Sequence, residues 1–519
     1  MITLTIDNMQ LQASEGSTIL DAAEKNGIHI PTLCCLKTLK PSVSCMVCLV
    51  RVEGLRSLVP ACGSKAADKM VVTTQSDEIQ AARTAAIELL LSDHVGDCLG
   101  PCMIGCPAKM DIPLMIRQIA TGDFKAAIKT VKRDIPLPAI LGRVCSAPCE
   151  KVCRRAQSDT AVSICLLKRF VADLDLASST PFQPQCAEPT GKKVAVMGAG
   201  PAGLSAAYYL RQQGIDCMIY DKNEKPGGTL RYGGVVRSIL PETVIDQEIT
   251  QLLSIGLQFK GNIELGESAS LEELKTQYDA LLLTVGEKWE DAGFDWEVDS
   301  ADGKIKVNRT DYATSISGIF AAGGCIGSRN LFIRRIADGK EAARSIKSAL
   351  LGDGNCPGSG YNHRLGLLDP DELAVMMKQV TDSARIVSDS MGSGLTEAQA
   401  KQEAARCMHC DCRKSVDCRL RQRAAEFNAR QRTWQGEKKR FRQITEHEKI
   451  IFEPGKCIQC GRCIQTARIE GEPFGLSFQG RGFDAEVVVP LDKSFVFALT
   501  KAASKCVEIC PTGALAIKD

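Results

Sequence analysis

The sequence lacks the usual features of a protein that enters or crosses a membrane. No apolar run among its 519 residues approaches the ~18 residues that a membrane helix requires. The first residues, Met-Ile-Thr-Leu-Thr-Ile-Asp, alternate in polarity like a strand and have neither the basic start nor the apolar core of a signal peptide. We therefore expect a cytoplasmic protein with no membrane span.

The sequence also lacks a dominant charge. Its 64 Lys and Arg residues face 62 Asp and Glu residues, which leaves a formal net charge of +2. This balance gives no support to nucleic-acid or polyanion binding. At ~100–150 residues per domain, the length allows roughly three to five domains.

Cysteine, by contrast, is abundant, with 25 residues. A disulfide-stapled secreted protein is one interpretation, but the chain is long, has no signal peptide and carries tight Cys-x-x-Cys spacings that are typical of metal sites. Soft thiolates suit iron, so the sequence indicates iron–sulfur clusters and electron transfer. Because thiolates and clusters oxidise readily, we expect an anaerobic or strongly reducing setting.

The first cysteine group predicts a two-iron site in a domain over residues 1–80. Cys34, Cys45, Cys48 and Cys62 combine one close pair with two distant partners, a plan that can surround a [2Fe–2S] cluster. The cysteine spacing and the flanking motifs Ile-Pro-Thr-Leu-Cys and Val-Pro-Ala-Cys resemble those of the N-terminal domain in the large iron–sulfur subunit of complex I and in iron-only hydrogenases. The resemblance implies a β-grasp ferredoxin fold, and a zinc site on the same cysteines is the alternative.

The second group predicts a helical domain with two four-iron clusters over residues 81–185. Eight candidate ligands lie there: His94, Cys98, Cys102, Cys106, Cys145, Cys149, Cys153 and Cys165. The words Gly-Cys-Pro and Gly-Arg-Val-Cys-Ser-Ala-Pro-Cys resemble the N-terminal domain of the glutamate synthase small subunit. Dihydropyrimidine dehydrogenase and the ferredoxin-dependent transhydrogenases share that domain.

In that family the ligands cross over between the two clusters. Carried over by position, the resemblance implies one cluster on His94, Cys98, Cys102 and Cys153 and another on Cys106, Cys145, Cys149 and Cys165. The family usually has cysteine where His94 stands and often has none where Cys165 stands. His94 does have the spacing to Cys98 that the histidine ligand has in the complex I subunit. Zinc at both sites is the alternative.

A glycine-rich turn predicts a dinucleotide site in a domain over residues 190–350. Gly198, Gly200 and Gly203 lie between a predicted strand and a predicted helix, where such a turn brings a pyrophosphate to the helix N-terminus. Asp221 ends the second strand about twenty residues further on, where a carboxylate binds ribose hydroxyls.

Two later motifs, Pro-Gly-Gly-Thr-Leu-Arg-Tyr-Gly from Pro226 and Gly-Ile-Phe-Ala-Ala-Gly-Gly from Gly318, resemble the FAD domain of the same glutamate-synthase-type family. The resemblance implies a Rossmann-like domain that binds FAD rather than NAD. The residues that it implies are Gly198, Gly200, Pro201, Ala202, Gly203, Asp221, Lys222, Gly228, Thr229, Arg231, Gly286, Gly323 and Gly324. The family has aspartate where this chain has Gly324, which predicts weaker FAD retention.

The NAD(P)H-binding domain that the family inserts into its FAD domain is predicted to be missing. Thirty-six residues separate Gly286 from Gly323, and they contain no second GxGxxG turn. One βαβ unit alone takes ~30 residues. We therefore expect a chain without its own hydride-donor site.

The remaining residues are interpreted as a linker over 351–400 and two further cysteine sites. Over 401–445, Cys407, Cys410, Cys412 and Cys418 predict either a four-iron cluster or a structural zinc, followed by a basic helix. Over 446–519, Cys457, Cys460, Cys463 and Cys510 match half of the bacterial ferredoxin pattern and predict one cluster in a ferredoxin-like domain. Cys506 is left without a partner in this pattern.

These features together predict a multidomain α+β and α/β iron–sulfur flavoprotein that transfers electrons. The expected cofactors are FAD, one [2Fe–2S] cluster and three to four [4Fe–4S] clusters. We expect a subunit of a soluble anaerobic oxidoreductase, with hydrogenase, formate dehydrogenase or NADH dehydrogenase-like subunits, or ferredoxin, as partners, and with electron bifurcation as one role. No catalytic residue for a terminal substrate is predicted.

Two other functions fit parts of the sequence. The first is a self-contained FAD enzyme that reduces a small substrate, like a relative of the glutamate synthase small subunit. The second is a scaffold or maturation protein that only binds clusters.

Overall fold

The computed structural model describes residues 1–287, 298–327, 331–352, 360–378, 380–387, 394–434 and 436–518. The strands are β1 (Ile2–Ile6), β2 (Met9–Ala13), β3 (Leu49–Val52), β4 (Val59–Pro60), β5 (Val71–Thr73), β6 (Lys193–Met197), β7 (Asp216–Tyr220), β8 (Gln258–Lys260), β9 (Ala280–Leu283), β10 (Ser300–Ala301), β11 (Lys304–Ile305), β12 (Ile319–Ala321), β13 (Ile450–Phe452), β14 (Ser477–Gln479), β15 (Glu486–Val488) and β16 (Leu515–Ile517).

The helices of the described residues are α1 (Ile19–Lys25), α2 (Asp77–Ser92), α3 (Pro101–Gly105), α4 (Ile112–Thr121), α5 (Phe124–Asp134), α6 (Pro138–Val144), α7 (Pro148–Lys151), α8 (Ile164–Leu176), α9 (Pro201–Gln212), α10 (Thr229–Tyr232), α11 (Gly234–Arg237), α12 (Glu242–Leu253), α13 (Leu271–Gln277), α14 (Phe332–Leu351), α15 (Pro370–Met377), α16 (Glu397–Ala404), α17 (Arg419–Glu426), α18 (Arg462–Ile469), α19 (Phe495–Ala498) and α20 (Ala503–Ile509).

The chain divides into two compact units. The first unit contains residues 1–99, 359–379 and 410–519, and the second contains residues 100–358 and 380–409. Three of the predicted segments, 81–185, 351–400 and 401–445, are therefore each split between the units. The predicted linker over 351–400 also contains helix α15 and the start of α16.

The first unit begins with a mixed five-stranded sheet in the order β2-β1-β5-β3-β4. Strand β1 pairs antiparallel with β2 and parallel with β5. Helix α1 starts at a capping box, in which Thr18 and Asp21 satisfy each other's backbone N–H groups. Its apolar residues share one core with the sheet. This sheet-and-helix arrangement matches the predicted β-grasp domain.

The C-terminal part of the first unit is a small α/β body. Strands β13 and β16 pair antiparallel, with Ile451 opposite Ala516. Helices α18 and α20 pack against each other and share a buried core with these strands. These elements lie within residues 446–519, the range predicted for a ferredoxin-like domain.

The second unit opens with a group of short helices, α3 to α8. Local signals explain their ends: Asp111 caps the N-terminus of α4 by accepting a hydrogen bond from the backbone N–H of Leu114, and Gly122 ends the helix at φ 83°. Leu141, Leu167 and other residues of α6 and α8 lie in one continuous core with the following domain.

A parallel sheet in the order β12-β9-β6-β7-β8 forms the rest of the second unit. Strand β9 is buried at all four residues, as expected for a parallel strand covered on both faces, and helices α9 and α14 pack against each other beside it. In the described residues between β9 and β12, the only regular structure is the two-stranded ribbon of β10 and β11.

Candidate metal centres and dinucleotide site

The four cysteines predicted for the [2Fe–2S] site come together in the first unit. The Cys34 thiol hydrogen-bonds with the thiols of Cys45 and Cys62, and the Cys62 thiol also hydrogen-bonds with that of Cys48. All four are buried. The hydrogen bonds from Cys45 and Cys62 lower the pKa of Cys34, which favours the thiolate that binds metal. Four converging buried sulfurs fit a two-iron cluster.

The cysteines predicted for the second cluster of the double-cluster domain also come together, and they lie in the second unit. Cys106, Cys145, Cys149 and Cys165 line one small cavity. A hydrogen bond from the Cys165 thiol lowers the pKa of Cys145 to about 6. Cys165, the position that varies in the related family, is therefore placed as a ligand would be.

A buried cation, Lys168, lines the same cavity. Its Nζ donates a hydrogen bond to the carbonyl of Leu141 at 3.2 Å, and the residue is 4% exposed. Burial alone would lower the pKa of Lys168, but the facing cysteines, Cys165 first among them, raise it overall. A positive charge therefore sits against the four thiols. The only sequence signal for this lysine is its position in α8, three residues after Cys165.

The predicted C-terminal site is assembled in the first unit. Cys457, Cys460, Cys463 and Cys510 line a second small cavity. Cys506 is buried beside it, with its Sγ 3.6 Å from the carbonyl of Cys463, and is not among the lining residues. The four lining cysteines remain the predicted ligands of one cluster, and Cys506 lies outside that lining.

The remaining candidate ligands are divided between the two units. In the first unit, Cys98 lies beside Cys412, whose backbone N–H donates to the Cys98 carbonyl at 3.3 Å. Cys418 lies close enough for Cys412 and Cys98 to raise its pKa, after burial, to about 12. Cys410 belongs to the same unit. The other three candidates, Cys102, Cys153 and Cys407, belong to the second unit.

His94 also lies in the first unit. Its ring packs edge-on against that of His363, with 4.8 Å between the ring centroids. Surrounding protein atoms lower the pKa of His94, helped by the charges of His363 and Lys456. The neutral imidazole, which is the metal-binding form, is thereby favoured.

In the described part of the chain, no three His, Cys, Asp or Glu side chains are arranged to hold a single metal ion.

The glycine-rich turn has the shape of a dinucleotide cradle. Gly198 has φ 110°, and a Cβ there would lie 2.4 Å from the carbonyl oxygen of Thr284. A Cβ on Gly203 would lie 1.9 Å from the Gly198 carbonyl oxygen. Glycine is therefore required at both positions, and helix α9 starts at the turn with no side chain capping its N-terminus.

Asp221 supports this turn from beneath. Its carboxylate accepts hydrogen bonds from the backbone N–H groups of Ala199 at 2.6 Å and Asn223 at 2.9 Å. The sequence predicted a ribose contact for this residue. In the structure it borders the cavity and also fixes the backbone of the turn.

A cavity of about 570 Å³ opens above the turn, a size typical of cofactor sites. Ten of the predicted cofactor residues line it: Gly198, Gly200, Pro201, Ala202, Asp221, Lys222, Gly228, Thr229, Gly286 and Gly324. The other three are outside the lining. Gly203 packs on Gly198, Gly323 packs on Ala202, and Arg231 forms ion pairs with Glu242 and Asp246.

Two charged residues of this cavity were missed by the sequence analysis. Arg335, in the first turn of α14, donates to the Thr229 hydroxyl at 3.1 Å and to the Glu287 carboxylate at 2.5 Å. A Cβ on Gly324 would lie 3.1 Å from the Glu287 Cγ, so Glu287 occupies the space beside the missing aspartate. Arg335 faces the cavity, and the glycines allow the backbone to come close to a ligand. Both features suit the binding of a dinucleotide phosphate.

Domain comparisons agree with this layout. Residues 1–77 match the 2Fe-2S iron-sulfur cluster binding domain, residues 78–180 match dihydropyrimidine dehydrogenase domain II with its 4Fe-4S cluster, and residues 196–247 match the NAD(P)-binding Rossmann-like domain. The chain is therefore an iron–sulfur protein with two-iron, four-iron and Rossmann-like nucleotide-binding domains. The predicted multidomain fold class and the predicted family resemblance are confirmed.

Several characterised proteins resemble part of the chain. The NAD-dependent dihydropyrimidine dehydrogenase subunit PreT of Salmonella typhimurium is 40% identical over 205 residues, which are 38% of this chain and 49% of that protein. The NADPH-Fe(3+) oxidoreductase subunit beta of Geobacter sulfurreducens is 39% identical over 36% of this chain and 28% of that protein. The NADP(+)-dependent formate dehydrogenase subunit beta of Moorella thermoacetica is 34% identical over 36% and 29%. The chain thus spans half or less of these relatives. Among the described residues, no helix is long and apolar enough to cross a membrane.

Proposed function

We propose that this chain is an electron-transfer subunit of a multi-subunit oxidoreductase and that its Rossmann-like domain binds FAD. The observation that supports this proposal most directly is that thiols from three predicted ligand sets are buried together in the first unit. Cys34 and Cys45 of the two-iron site, Cys418 and Cys460 are buried in one continuous core. Ligand sets that share a core hold their clusters close together, as electron transfer between clusters requires.

One arginine joins two of these sites. The Arg462 guanidinium donates to the carbonyls of Leu33 at 2.8 Å and Cys34 at 3.1 Å, and also to that of Cys35. It donates to the carbonyl of Ile509, next to Cys510, at 3.1 Å as well. The side chain is 2% exposed. A single buried group thus fixes the two-iron loop to the C-terminal cluster loop.

The nucleotide domain supports FAD by the residues that line its cavity. The turn at Gly198 and Gly200 and the N-terminus of α9 would hold the pyrophosphate, with Arg335 and Thr229 beside them. When bound, FAD exchanges electron pairs with two-electron donors and single electrons with clusters. The short interval between β9 and β12 supports the absence of a separate nicotinamide domain.

The setting that we propose follows from the same chemistry. Partner subunits of the hydrogenase, formate dehydrogenase or NADH dehydrogenase type would carry the terminal catalytic centre. The relatives above are named as subunits of formate, pyrimidine and iron(III) oxidoreductases, which supports such a complex. The compartment is the cytoplasm of an anaerobic cell, since exposed thiolates oxidise readily.

Anaerobic analysis of the FAD-loaded full chain tests this function. We expect about 18 iron atoms per chain, from one two-iron and four four-iron clusters. In stopped-flow experiments, reduced ferredoxin should bleach the flavin absorbance, whereas NADH and NADPH should not. The reason is that the interval from Gly286 to Gly323 is too short for a second domain that would align a nicotinamide within the ~3–3.5 Å needed for hydride transfer.

Variants provide the controls for this experiment. Cys106→Ser should retain FAD and lose the rapid flavin bleaching, and Cys506→Ser should behave as the natural chain does. Eight irons or fewer, or turnover of a small acceptor by the isolated chain with NADH, would contradict the proposal, and the second result would favour the self-contained FAD enzyme.

A further inference from the structure

We infer that Cys98, Cys412 and Cys418 bind one iron–sulfur cluster in the first unit, so that Cys98 does not share a cluster with Cys102. The inference rests on the proposed electron-transfer function and adds to it a specific ligand set. Carry-over by position from the related family groups Cys98 with Cys102 and Cys153, and the inference moves Cys98 to a different cluster. It also separates Cys412 and Cys418 from Cys407, with which the sequence analysis grouped them.

The backbone brings the first two cysteines together. The N–H of Cys412 donates to the carbonyl of Cys98 at 3.3 Å, which joins two loops that are far apart in sequence. The Cys412 Sγ lies against Gly513, where an added Cβ would be 2.2 Å from the sulfur. Glycine at this position keeps open the space in which the sulfur lies.

Cys418 completes the set of three thiols. It is 6% exposed, and the charges of Cys412 and Cys98 both act on its thiol. The chain then enters α17, whose first N–H, that of Arg419, donates to the carbonyl of Pro511 at 2.9 Å. This contact anchors the Cys418 loop beside the C-terminal cluster site.

The groups around these thiols suit a negatively charged cluster. The backbone N–H of His363 donates to the Cys98 Sγ at 3.3 Å, and the backbone N–H groups of Leu420 and Arg421 hydrogen-bond the Cys418 thiol. Lys456 is buried near Cys412 and pairs with Glu453 at 2.5 Å. Such N–H···S bonds and nearby cations stabilise cluster charge and set its potential.

The path of the chain explains why the sequence hides this grouping. The boundary between the two units falls after Leu99 and again after His409. Each boundary cuts through a cysteine motif, leaving Cys98 and Cys412 on one side and Cys102 and Cys407 on the other. Cysteines that are neighbours in sequence therefore fall in different units, which supports assigning them to different clusters.

Paired substitutions in the reconstituted full chain test the grouping. Iron content and electron paramagnetic resonance are measured for Cys98→Ser, Cys412→Ser and Cys102→Ser and for their pairwise combinations. Cys98→Ser and Cys412→Ser should each lose about four irons and the same signal, and the double variant should lose no more. Cys98→Ser with Cys102→Ser should lose about eight irons and two signals.

The opposite pattern would overturn the inference. If Cys98→Ser and Cys102→Ser lose one shared signal and the double variant loses only about four irons, the two cysteines share a cluster. The proposed function would survive that result, whereas a natural chain without iron would contradict the function itself. Cys506→Ser is the matched buried control and should keep all signals. An intact [2Fe–2S] signal from the Cys34 site shows that the first unit of each variant is folded.

Discussion

Two buried cations lie beside cysteine sites and differ in what their charged groups contact. Lys168 in the second unit directs its ammonium group into the cavity of four thiols and has one carbonyl partner, that of Leu141. Arg462 in the first unit begins the helix that carries Cys463, yet its guanidinium binds the carbonyls of another site's loop. The first cation is suited to setting a potential, and the second to fixing the distance between two clusters.

The largest effect is expected from Arg462→Met. Several carbonyls would lose a buried donor, so the free energy of unfolding should fall by about 3 kcal/mol or more. Anaerobic denaturation, followed by the [2Fe–2S] absorbance, measures this change. Arg468→Met, an exposed arginine of the same helix, is the control and should have little effect. An unchanged unfolding midpoint in Arg462→Met would show that the bridge is dispensable.

His94 extends the comparison from cations to ligands. Because His94 lies near the Cys98 site and its neutral form is favoured, His94→Ala should remove the cluster that includes Cys98, with a loss of about four irons. His94→Cys should keep that cluster and lower its reduction potential, since a thiolate adds negative charge. His29→Ala, an exposed histidine, is the control. A full complement of iron in His94→Ala would rule out ligation.

Lys168→Met tests the second unit directly. Loss of a buried positive charge beside the cluster should lower the reduction potential of the Cys106 site by on the order of 100 mV. Lys168→Arg should restore most of the potential, and Lys129→Met, on the exposed face of α5, should leave it unchanged. Potentiometric titration monitored by electron paramagnetic resonance gives the values. Equal potentials in Lys168→Met and the natural chain would remove the distinction drawn between the two cations.

The smallest effect concerns the nucleotide site, where Glu287 lies beside Gly324. Gly324→Asp would crowd Glu287 and add a second negative charge, so we expect FAD affinity to fall by about threefold. Combining it with Glu287→Ala should restore binding. Fluorescence titration of the apoprotein with FAD measures both. Tighter FAD binding by Gly324→Asp alone would contradict this expectation. It would show that the aspartate of the related family contributes to FAD binding and that the chain has lost this contribution at Gly324.

The sequence predicted the grouping best where close cysteine pairs and a family resemblance agreed. The structure brings together the four cysteines predicted for each of the sites at Cys34, Cys106 and Cys457, although Cys145 lies 39 residues after Cys106 and Cys510 lies 47 residues after Cys463. Cys98 could not be grouped with Cys412, since that pairing depends on how distant segments pack. Arg462 and Arg335 were missed for a related reason: a single arginine in a helix has no pattern that reports its partner.

The Arg462 bridge has a consequence for how the protein is made. The arginine and the Cys34 carbonyl that it binds are separated by 428 residues. At the usual 5–20 residues per second, a ribosome needs about 20 to 90 s to reach the arginine after making the cysteine. During that interval the carbonyls of the Cys34 loop lack their arginine donor, so we expect this loop to reach its final stability only when synthesis is nearly complete.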